Sequence, residues 1–217
     1  MTIDFYYLLA SAPCRSVLMV AKSLGITLNL KEIDLSKGEH LTPEFIKINP
    51  QHTIPTLVDN GFVLTESRAI AAYLVEQYGK DDSLYPKDAK KKAVVNQRLY
   101  FDMGVLYQRF ADYYYPKFQN LPVDESKKEK VDEAFVLLDK FLEQSKYAAG
   151  DNLTIADYSI VATLATIEGI TNYDISSLPN LSKWYKNVKT QLAGYEEINQ
   201  KGVELMKQYI AALLEKK

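Results

Sequence analysis

The sequence has very little cysteine and histidine, with one cysteine and two histidines among 217 residues. A single cysteine excludes an internal disulfide and any metal site built from several cysteines, and it is typical of a reducing compartment. The histidines, His40 and His52, have no further ligands clustered nearby at metal-binding spacing. These absences predict a cytoplasmic protein without a bound metal.

The sequence also lacks long apolar runs and an excess of either charge. No stretch approaches the roughly 18 apolar residues that span a bilayer, and the first residues, which include Asp4, do not form a secretory signal. The net charge is −2. The densest basic runs, at 87–92 and 126–130, are interpreted as solvated helix faces rather than phosphate-binding surfaces. We therefore expect neither a membrane nor a nucleic-acid partner.

The first third of the chain alternates strand and helix patterns. FYYLL (5–9) and TLNLKEID (27–34) are predicted strands, and Ser11 can cap the helix between them. Two further strand patterns flank an Asn-Gly dipeptide at 60–61, which is typical of a two-residue hairpin turn. The order βαβαββα predicts a small mixed sheet of the thioredoxin type over residues 1–80.

Beyond a polar linker at 81–87, every pattern is helical. Apolar residues three and four apart predict a long helix that Pro116 ends: Val95, Leu99, Met103, Leu106 and Phe110. The segment 153–169 is apolar nearly all round and begins with a capping box of Thr154 and Asp157, so we expect it at the domain centre. The predicted fold class is α/β plus all-α, the second domain covering residues 88–217.

Four motifs follow one another across these two domains: SAPCR (11–15), NPQHTIPTL (49–57), ESRAI (66–70) and LTIADYS (153–159). In this order they resemble the cytosolic glutathione transferases, and most of all the insect delta class. The resemblance implies a glutathione-binding α/β domain and a helical domain that forms a hydrophobic substrate pocket. It also implies a homodimer, in which the α/β domain of one subunit packs on helices four and five of the other.

Ser11 carries the predicted chemistry. A thiol with a pKa of about 8.5 is only roughly 3% ionised at pH 7. A hydroxyl donor and the positive end of a helix can both favour the thiolate. Serine in this place alone would be a plain N-cap, but with the four motifs we predict that Ser11 is catalytic. Cys14 is interpreted as buried filler, and Arg15 as a member of an ion pair rather than a source of positive potential.

The resemblance also implies a set of glutathione-binding residues. Pro55 is expected to be cis, which leaves the backbone of Ile54 free to pair with the peptide. Glu66 and Ser67 suit the γ-glutamyl zwitterion, and Asp102 is expected to complete a charge network beside them. For several of these residues an ordinary helix start or an exposed loop remains an alternative. The predicted set is His40, His52, Thr53, Ile54, Pro55, Glu66, Ser67 and Arg68.

Aromatic residues near the end of the fourth helix are candidates for the hydrophobic pocket, together with apolar residues near Ser11. Each of them is equally compatible with plain core packing. Such a pocket admits apolar electrophiles by area rather than by shape. The predicted wall is formed by Leu8, Pro13, Leu35, Tyr107, Phe110, Tyr115 and Phe118.

The predicted function is conjugation of glutathione to hydrophobic electrophiles, as in detoxification. Elimination of hydrogen chloride and reduction of hydroperoxides are possible side activities, because all three begin with the same thiolate. One alternative is a non-catalytic glutathione-transferase-like carrier or interaction protein, which would need none of Ser11, Glu66 and Ser67. Another is a thiol-disulfide reductase, whose signature would be a mixed disulfide at Cys14.

Overall fold

The computed structural model describes residues 2–215, so residue 1 and residues 216–217 of the predicted domains lie outside it. Its first part is a mixed α/β unit. Two short 3₁₀ turns, Leu35–Lys37 and Glu39–Leu41, follow the second strand. The elements are β1 (Ile3–Tyr7), α1 (Ala12–Ser23), β2 (Asn29–Glu32), α2 (Pro43–Ile48), β3 (Thr56–Asp59), β4 (Phe62–Thr65) and α3 (Ser67–Tyr78).

The four strands form one sheet in the order β2-β1-β3-β4. β1 and β2 are parallel and are joined through α1, whereas β3 pairs antiparallel with both β1 and β4. The turn between β3 and β4 holds Asn60 and Gly61 at positive φ, as a two-residue hairpin requires. The predicted βαβαββα order and mixed sheet are confirmed.

The second part of the chain is helical, and two π-helical segments interrupt it. Asp102–Tyr107 joins α4 to α5, and Tyr195–Gln200 leads into α9. The helices are α4 (Ala89–Phe101), α5 (Gln108–Phe118), α6 (Lys127–Phe141), α7 (Ile155–Thr171), α8 (Pro179–Lys189) and α9 (Lys201–Glu215). The all-α class predicted for this half is confirmed.

Pro116 does not end its helix, contrary to the prediction. It lies inside α5, which continues to Phe118. Proline removes one backbone donor but keeps its acceptor. The Pro116 carbonyl accepts hydrogen bonds from the backbone N–H groups of Gln119 and Leu121, at 3.1 and 2.9 Å. The chain therefore completes one more turn before it leaves the helix.

Helix α7 is the centre of the helical domain, as its apolar sequence predicts. All residues from Ile155 to Ile167 are buried. The predicted capping box is present, and the Asp157 carboxylate also accepts a hydrogen bond from the Trp184 indole at 3.0 Å. α7 packs against α1 of the α/β unit, so the start of α1 lies at the seam between the two halves. No helix within residues 2–215 has the length and apolar character needed to cross a membrane.

Candidate active site

Ser11 lies between β1 and α1, at the N-terminus of α1. Its backbone N–H donates to the Leu8 carbonyl and its own carbonyl accepts from Arg15 N–H, both at 3.0 Å. These bonds fix the turn through the main chain. The Ser11 hydroxyl makes no capping hydrogen bond to α1. A half-buried hydroxyl is therefore held at the positive end of a twelve-residue helix and remains available as a donor.

A cavity of about 640 Å³ opens in front of Ser11. Residues of both halves of the chain line it, so its shape depends on how α1, α5 and α9 come together. Its lining is mostly apolar near Ser11 and α9, and more polar towards the loops after β2. The lining residues are Leu8, Ala10, Ser11, Ala12, Pro13, Glu32, Asp34, Leu35, Ser36, His40, His52, Thr53, Ile54, Tyr107, Tyr115, Thr166, Leu205, Met206 and Tyr209.

Five of the seven residues predicted for the hydrophobic wall line this cavity, and two do not. Phe110 is fully buried, with its ring centre 5.6 Å from that of Tyr115. It therefore supports the wall from the core instead of facing the cavity. Phe118 packs against the rings of Tyr114 and Tyr115 at the end of α5. The helical spacing of these aromatic residues did not distinguish those that line the cavity from those that are buried in the core.

The hydroxyl groups of Tyr107 and Tyr115 are polar groups in the otherwise apolar wall of the cavity. Their hydroxyl oxygens are 2.5 Å apart, so one hydroxyl donates to the other. Burial raises the pKa of the Tyr115 hydroxyl, and the neighbouring Tyr107 raises it further. Tyr115 is thus a neutral hydrogen-bonding group at physiological pH.

The C-terminal part of the wall was missed by sequence reasoning. Leu205, Met206 and Tyr209 of α9 and Thr166 of α7 line the cavity. Position 209 is a helical neighbour of both 205 and 206, four and three residues before it, so the three positions form one stripe along the helix. That pattern predicts an apolar face, but it contains no information about which surface the face covers.

The predicted glutathione-binding residues of the loop before β3 lie at one side of the cavity. Ile54-Pro55 is a cis peptide, and Ile54 forms no backbone hydrogen bond to another residue of the range 2–215. The imidazole rings of His40 and His52 have their centres 6.2 Å apart, and both line the cavity with Thr53. Pro55 itself is buried.

Glu66, Ser67 and Arg68 lie at the start of α3, outside the cavity lining. Glu66 adopts φ of 67°, a left-handed conformation that is uncommon for a residue with a side chain. Arg68 donates to Ser67 Oγ at 3.3 Å and to Asp102 Oδ2 at 2.5 Å. The contact between Asp102 and this group is therefore made within one chain.

Cys14 and Arg15 are both fully buried on α1. Burial raises the pKa of the Cys14 thiol to about 11, despite opposing contacts with Ser11 and the Leu8 backbone. The ion pair expected for Arg15 is not formed, because no carboxylate in residues 2–215 lies within bonding distance of its guanidinium. The same range contains no group of three or more His, Cys, Asp or Glu suited to a metal.

Comparison with known proteins gives consistent results along the chain. Residues 5–82 match the family model "Glutathione S-transferase, N-terminal domain", and residues 78–191 match "Glutathione S-transferase, C-terminal domain". A delta-class glutathione transferase of Nilaparvata lugens has 58% identity and a TM-score of 0.93, covering 97% of this chain and 99% of that one.

Two further solved structures are similar over nearly the same length. A Bombyx mori glutathione transferase in complex with GTT has 46% identity, a TM-score of 0.92 and coverage of 96% and 98%. An epsilon-class glutathione S-transferase of the housefly Musca domestica has 40% identity, a TM-score of 0.91 and coverage of 98% of both chains.

Proposed function

The chain belongs to the glutathione transferase family, and from this premise we propose that Ser11 activates the glutathione thiol for attack on hydrophobic electrophiles. The observation that carries the proposal is the Ser11 hydroxyl at the N-terminus of α1, which makes no capping hydrogen bond and faces a cavity of about 640 Å³. Its side-chain contact on α1 is with the Cys14 thiol, which stays protonated at pH 7 and can donate to the Ser11 oxygen. The hydroxyl proton is therefore available to a sulfur atom bound in the cavity.

The energetic requirement is within reach of these two features. Lowering a thiol pKa by about two units needs ~2.7 kcal/mol in favour of the thiolate. A hydrogen bond to a charged group contributes about 1.5–3 kcal/mol. The N-terminus of a helix contributes roughly 0.3–1 kcal/mol towards a nearby anion. Ser11 acts as a donor and not as a base, because its hydroxyl has no accessible pKa.

Glutathione is proposed to bind along the Ile54 backbone with its sulfur at Ser11. The free N–H and C=O of Ile54 can pair with the peptide as an added strand would. His40 and His52 can donate hydrogen bonds to its glycyl carboxylate. The start of α3, with Ser67 and Glu66, suits the γ-glutamyl carboxylate and ammonium. Arg68 takes part indirectly, because its guanidinium is bound to Ser67 and Asp102.

The second substrate is proposed to occupy the apolar side of the cavity, against Tyr107, Tyr115 and α9. The thiolate sulfur forms a bond to the electrophilic carbon, and a leaving group such as chloride departs with the bonding electrons. The proton of the thiol passes to solvent. The same thiolate supports elimination of hydrogen chloride and reduction of hydroperoxides as side activities. We propose detoxification of such electrophiles as the role of the protein.

The active form is proposed to be a cytosolic homodimer. Large apolar residues are exposed on β4 of the α/β unit, and on α4 and the π-helical segment that follows it, which belong to the predicted helix four. A second copy would cover them. They are Phe62, Val63, Val94, Tyr100 and Met103.

The proposal is tested by assaying purified protein with glutathione and 1-chloro-2,4-dinitrobenzene. We expect retention on immobilised glutathione and glutathione-dependent turnover, with a Ser11→Ala variant that still binds glutathione but turns over at least tenfold more slowly at pH 6.5. A non-catalytic carrier would bind glutathione without turnover. A Ser11→Ala variant with the full rate would contradict the proposed role of Ser11.

A further inference from the structure

Arg15 is a buried cation directly behind the turn that holds Ser11. Its side chain has 0% exposure and lies on α1, four residues after Ser11. Burial lowers the pKa of its guanidinium to about 10, which leaves the group charged at pH 7. A buried charge without a partner of opposite sign is costly. The stability of this buried charge therefore depends on the groups that surround Arg15.

The hydrogen-bond partners of Arg15 are all uncharged. The guanidinium donates to five oxygen atoms: the carbonyls of Leu9, Ala10 and Ala162, Oγ1 of Thr166 and Oδ1 of Asn199. The guanidinium lies closest to Thr166 Oγ1, 2.6 Å from the Ala10 carbonyl oxygen and 2.9 Å from Asn199 Oδ1. These bonds solvate the cation but do not neutralise it.

The titratable groups that face Arg15 do not supply a negative charge either. They are Cys14, Tyr107, Tyr185 and Tyr195. Burial raises the pKa of Cys14 to about 11 and also raises the pKa values of Tyr185 and Tyr195. Tyrosine is neutral at pH 7. Within residues 2–215, the positive charge of Arg15 therefore has no counterion.

The bonds of Arg15 connect the catalytic turn to two walls of the cavity. Ala10 immediately precedes Ser11, and Thr166 lines the cavity. Asn199 belongs to the π-helical segment that leads into α9, whose residues form the C-terminal wall. Gly202 at the start of α9 packs closely here, since a Cβ atom at this position would lie 2.3 Å from Arg15 Cδ. Arg15 is thus fixed in place on several sides.

We propose that Arg15 is a positioning residue for the thiol-activating turn, and that its counterion is the glutathione thiolate formed at Ser11. This rests on the proposed function of Ser11. The guanidinium fixes the orientation of the Leu9 and Ala10 carbonyl groups, which precede Ser11. In addition, its positive charge favours the thiolate form of bound glutathione through space. A charge about 10 Å away, at an effective dielectric constant of about 20, changes a pKa by roughly one unit.

The discriminating variant is Asn199→Asp, because it adds a counterion and keeps the contact with Arg15. The Asn199 Oδ1 atom that accepts from Arg15 is retained. Within residues 2–215 its Nδ2 makes no close hydrogen bond, and the Tyr195 hydroxyl that faces this side chain can donate to a carboxylate instead. We expect the pKa of enzyme-bound glutathione, measured by thiolate absorbance, to rise by about one unit. Turnover of 1-chloro-2,4-dinitrobenzene should fall about fivefold at pH 6.5 and approach the parent rate at pH 9.

Two further variants separate charge from structure. Asn187→Asp makes the same change of charge on an exposed residue of α8 and should leave the thiol pKa unchanged. Arg15→Lys keeps the charge but cannot fill five acceptors, so it should lower the unfolding temperature. Because the charge remains, the thiol pKa should shift by less than about half a unit, whereas turnover should fall at every pH because the bonds that position the turn before Ser11 are partly lost.

If Asn199→Asp leaves the thiol pKa and the pH profile as in the parent, Arg15 is only structural and the proposal is overturned. An Asn199→Asp protein that does not fold would overturn it as well, since a carboxylate beside an unneutralised cation should be accommodated. Ser11→Ala is measured alongside. If Ser11→Ala raises the thiol pKa and Asn199→Asp does not, the role of Arg15 fails while the proposed function stands; if Ser11→Ala changes nothing, the proposed function itself fails.

Discussion

Arg68 and Asp102 form an ion pair of 2.5 Å that joins the α/β half of the molecule to the helical half. Asp102 is fully buried, and the Arg68 side chain is only 14% exposed. The same Asp102 oxygen accepts a hydrogen bond from Ser159 Oγ at 2.6 Å. Because Arg68 also donates to Ser67, this pair positions the start of α3 against α7 and fixes the proposed γ-glutamyl site.

Removing the carboxylate should therefore affect both stability and glutathione binding. Asp102→Ala leaves the Arg68 guanidinium buried without its partner, which typically costs about 3–5 kcal/mol of unfolding free energy. We also expect the KM for glutathione to rise several-fold, because Ser67 loses its support. Urea unfolding and steady-state kinetics measure the two effects. Asp112→Ala, at an exposed acid on α5, should change stability by less than about 0.5 kcal/mol. Equal stability of the two variants would refute this role of the pair.

Cys14 should be unreactive in the folded protein. With a pKa of about 11, about 0.1% of the thiol is ionised at pH 8, and the side chain has no exposure. Iodoacetamide should therefore label the native protein at least 100-fold more slowly than the urea-unfolded chain. Rapid labelling, or a mixed disulfide with glutathione at Cys14, would support the reductase alternative instead.

The same thiol predicts a change of stability at alkaline pH. The pKa in the folded state, about 11, lies above the ordinary value of 9.0. The folded state thus retains the proton where the unfolded chain has lost it. Stability from this group is fully present below about pH 9 and decreases as the pH rises from 9 towards 11. Cys14→Ala should lose less stability than the parent between pH 8 and 10.5, as measured by urea unfolding. An identical pH slope in both proteins would exclude this explanation.

The C-terminal wall should affect the electrophile but not glutathione. Leu205→Ala removes apolar surface from the cavity, and we expect the KM for 1-chloro-2,4-dinitrobenzene to rise about three- to tenfold. The KM for glutathione should stay within about twofold of the parent value. Leu214→Ala serves as the matched control, because Leu214 lies on the same helix, is similarly exposed and does not line the cavity. Similar kinetics for the two variants would show that α9 does not contact the substrate.

The proposed dimer predicts the effect of a charge on its expected interface. Tyr100 of α4 is 65% exposed in the single chain. A charge there should oppose burial against a second copy, so Tyr100→Glu should shift the mass measured by analytical ultracentrifugation from dimer towards monomer. Leu121→Glu, at an exposed apolar residue outside this set, should remain dimeric. A parent protein that sediments as a monomer would rule out the dimer.

Local patterns were sufficient to predict most of the fold. The Asn-Gly turn at 60–61, the apolar stretch of α7 and its capping box are each determined by neighbouring residues, and each lies where it was predicted. Pro116 was misjudged because a helix continues past a proline where the backbone carbonyls there find hydrogen-bond donors. The sequence alone does not show those donors. The two π-helical segments have no simple sequence pattern.

The residues of the site that the local backbone positions could be predicted from the sequence. The residues whose position depends on the packing of helices could not. Ser11 lies in a turn that β1 and α1 impose, and its neighbours follow in sequence. Phe110 and Tyr115 have the same kind of side chain on one helix, and only the packing of α5 places one in the core and the other at the cavity. Arg15 and Asn199 are 184 residues apart in sequence, and no local pattern connects them.

An ultraviolet titration of the complex shows whether Ser11 keeps bound glutathione ionised near neutral pH. Thiolate absorbance near 240 nm is followed between about pH 5 and pH 10 for the parent protein and for Ser11→Ala, both saturated with glutathione. We predict a midpoint about two units below that of free glutathione for the parent, and a midpoint close to the free value for Ser11→Ala. A parent midpoint equal to that of free glutathione would show that Ser11 does not activate the thiol.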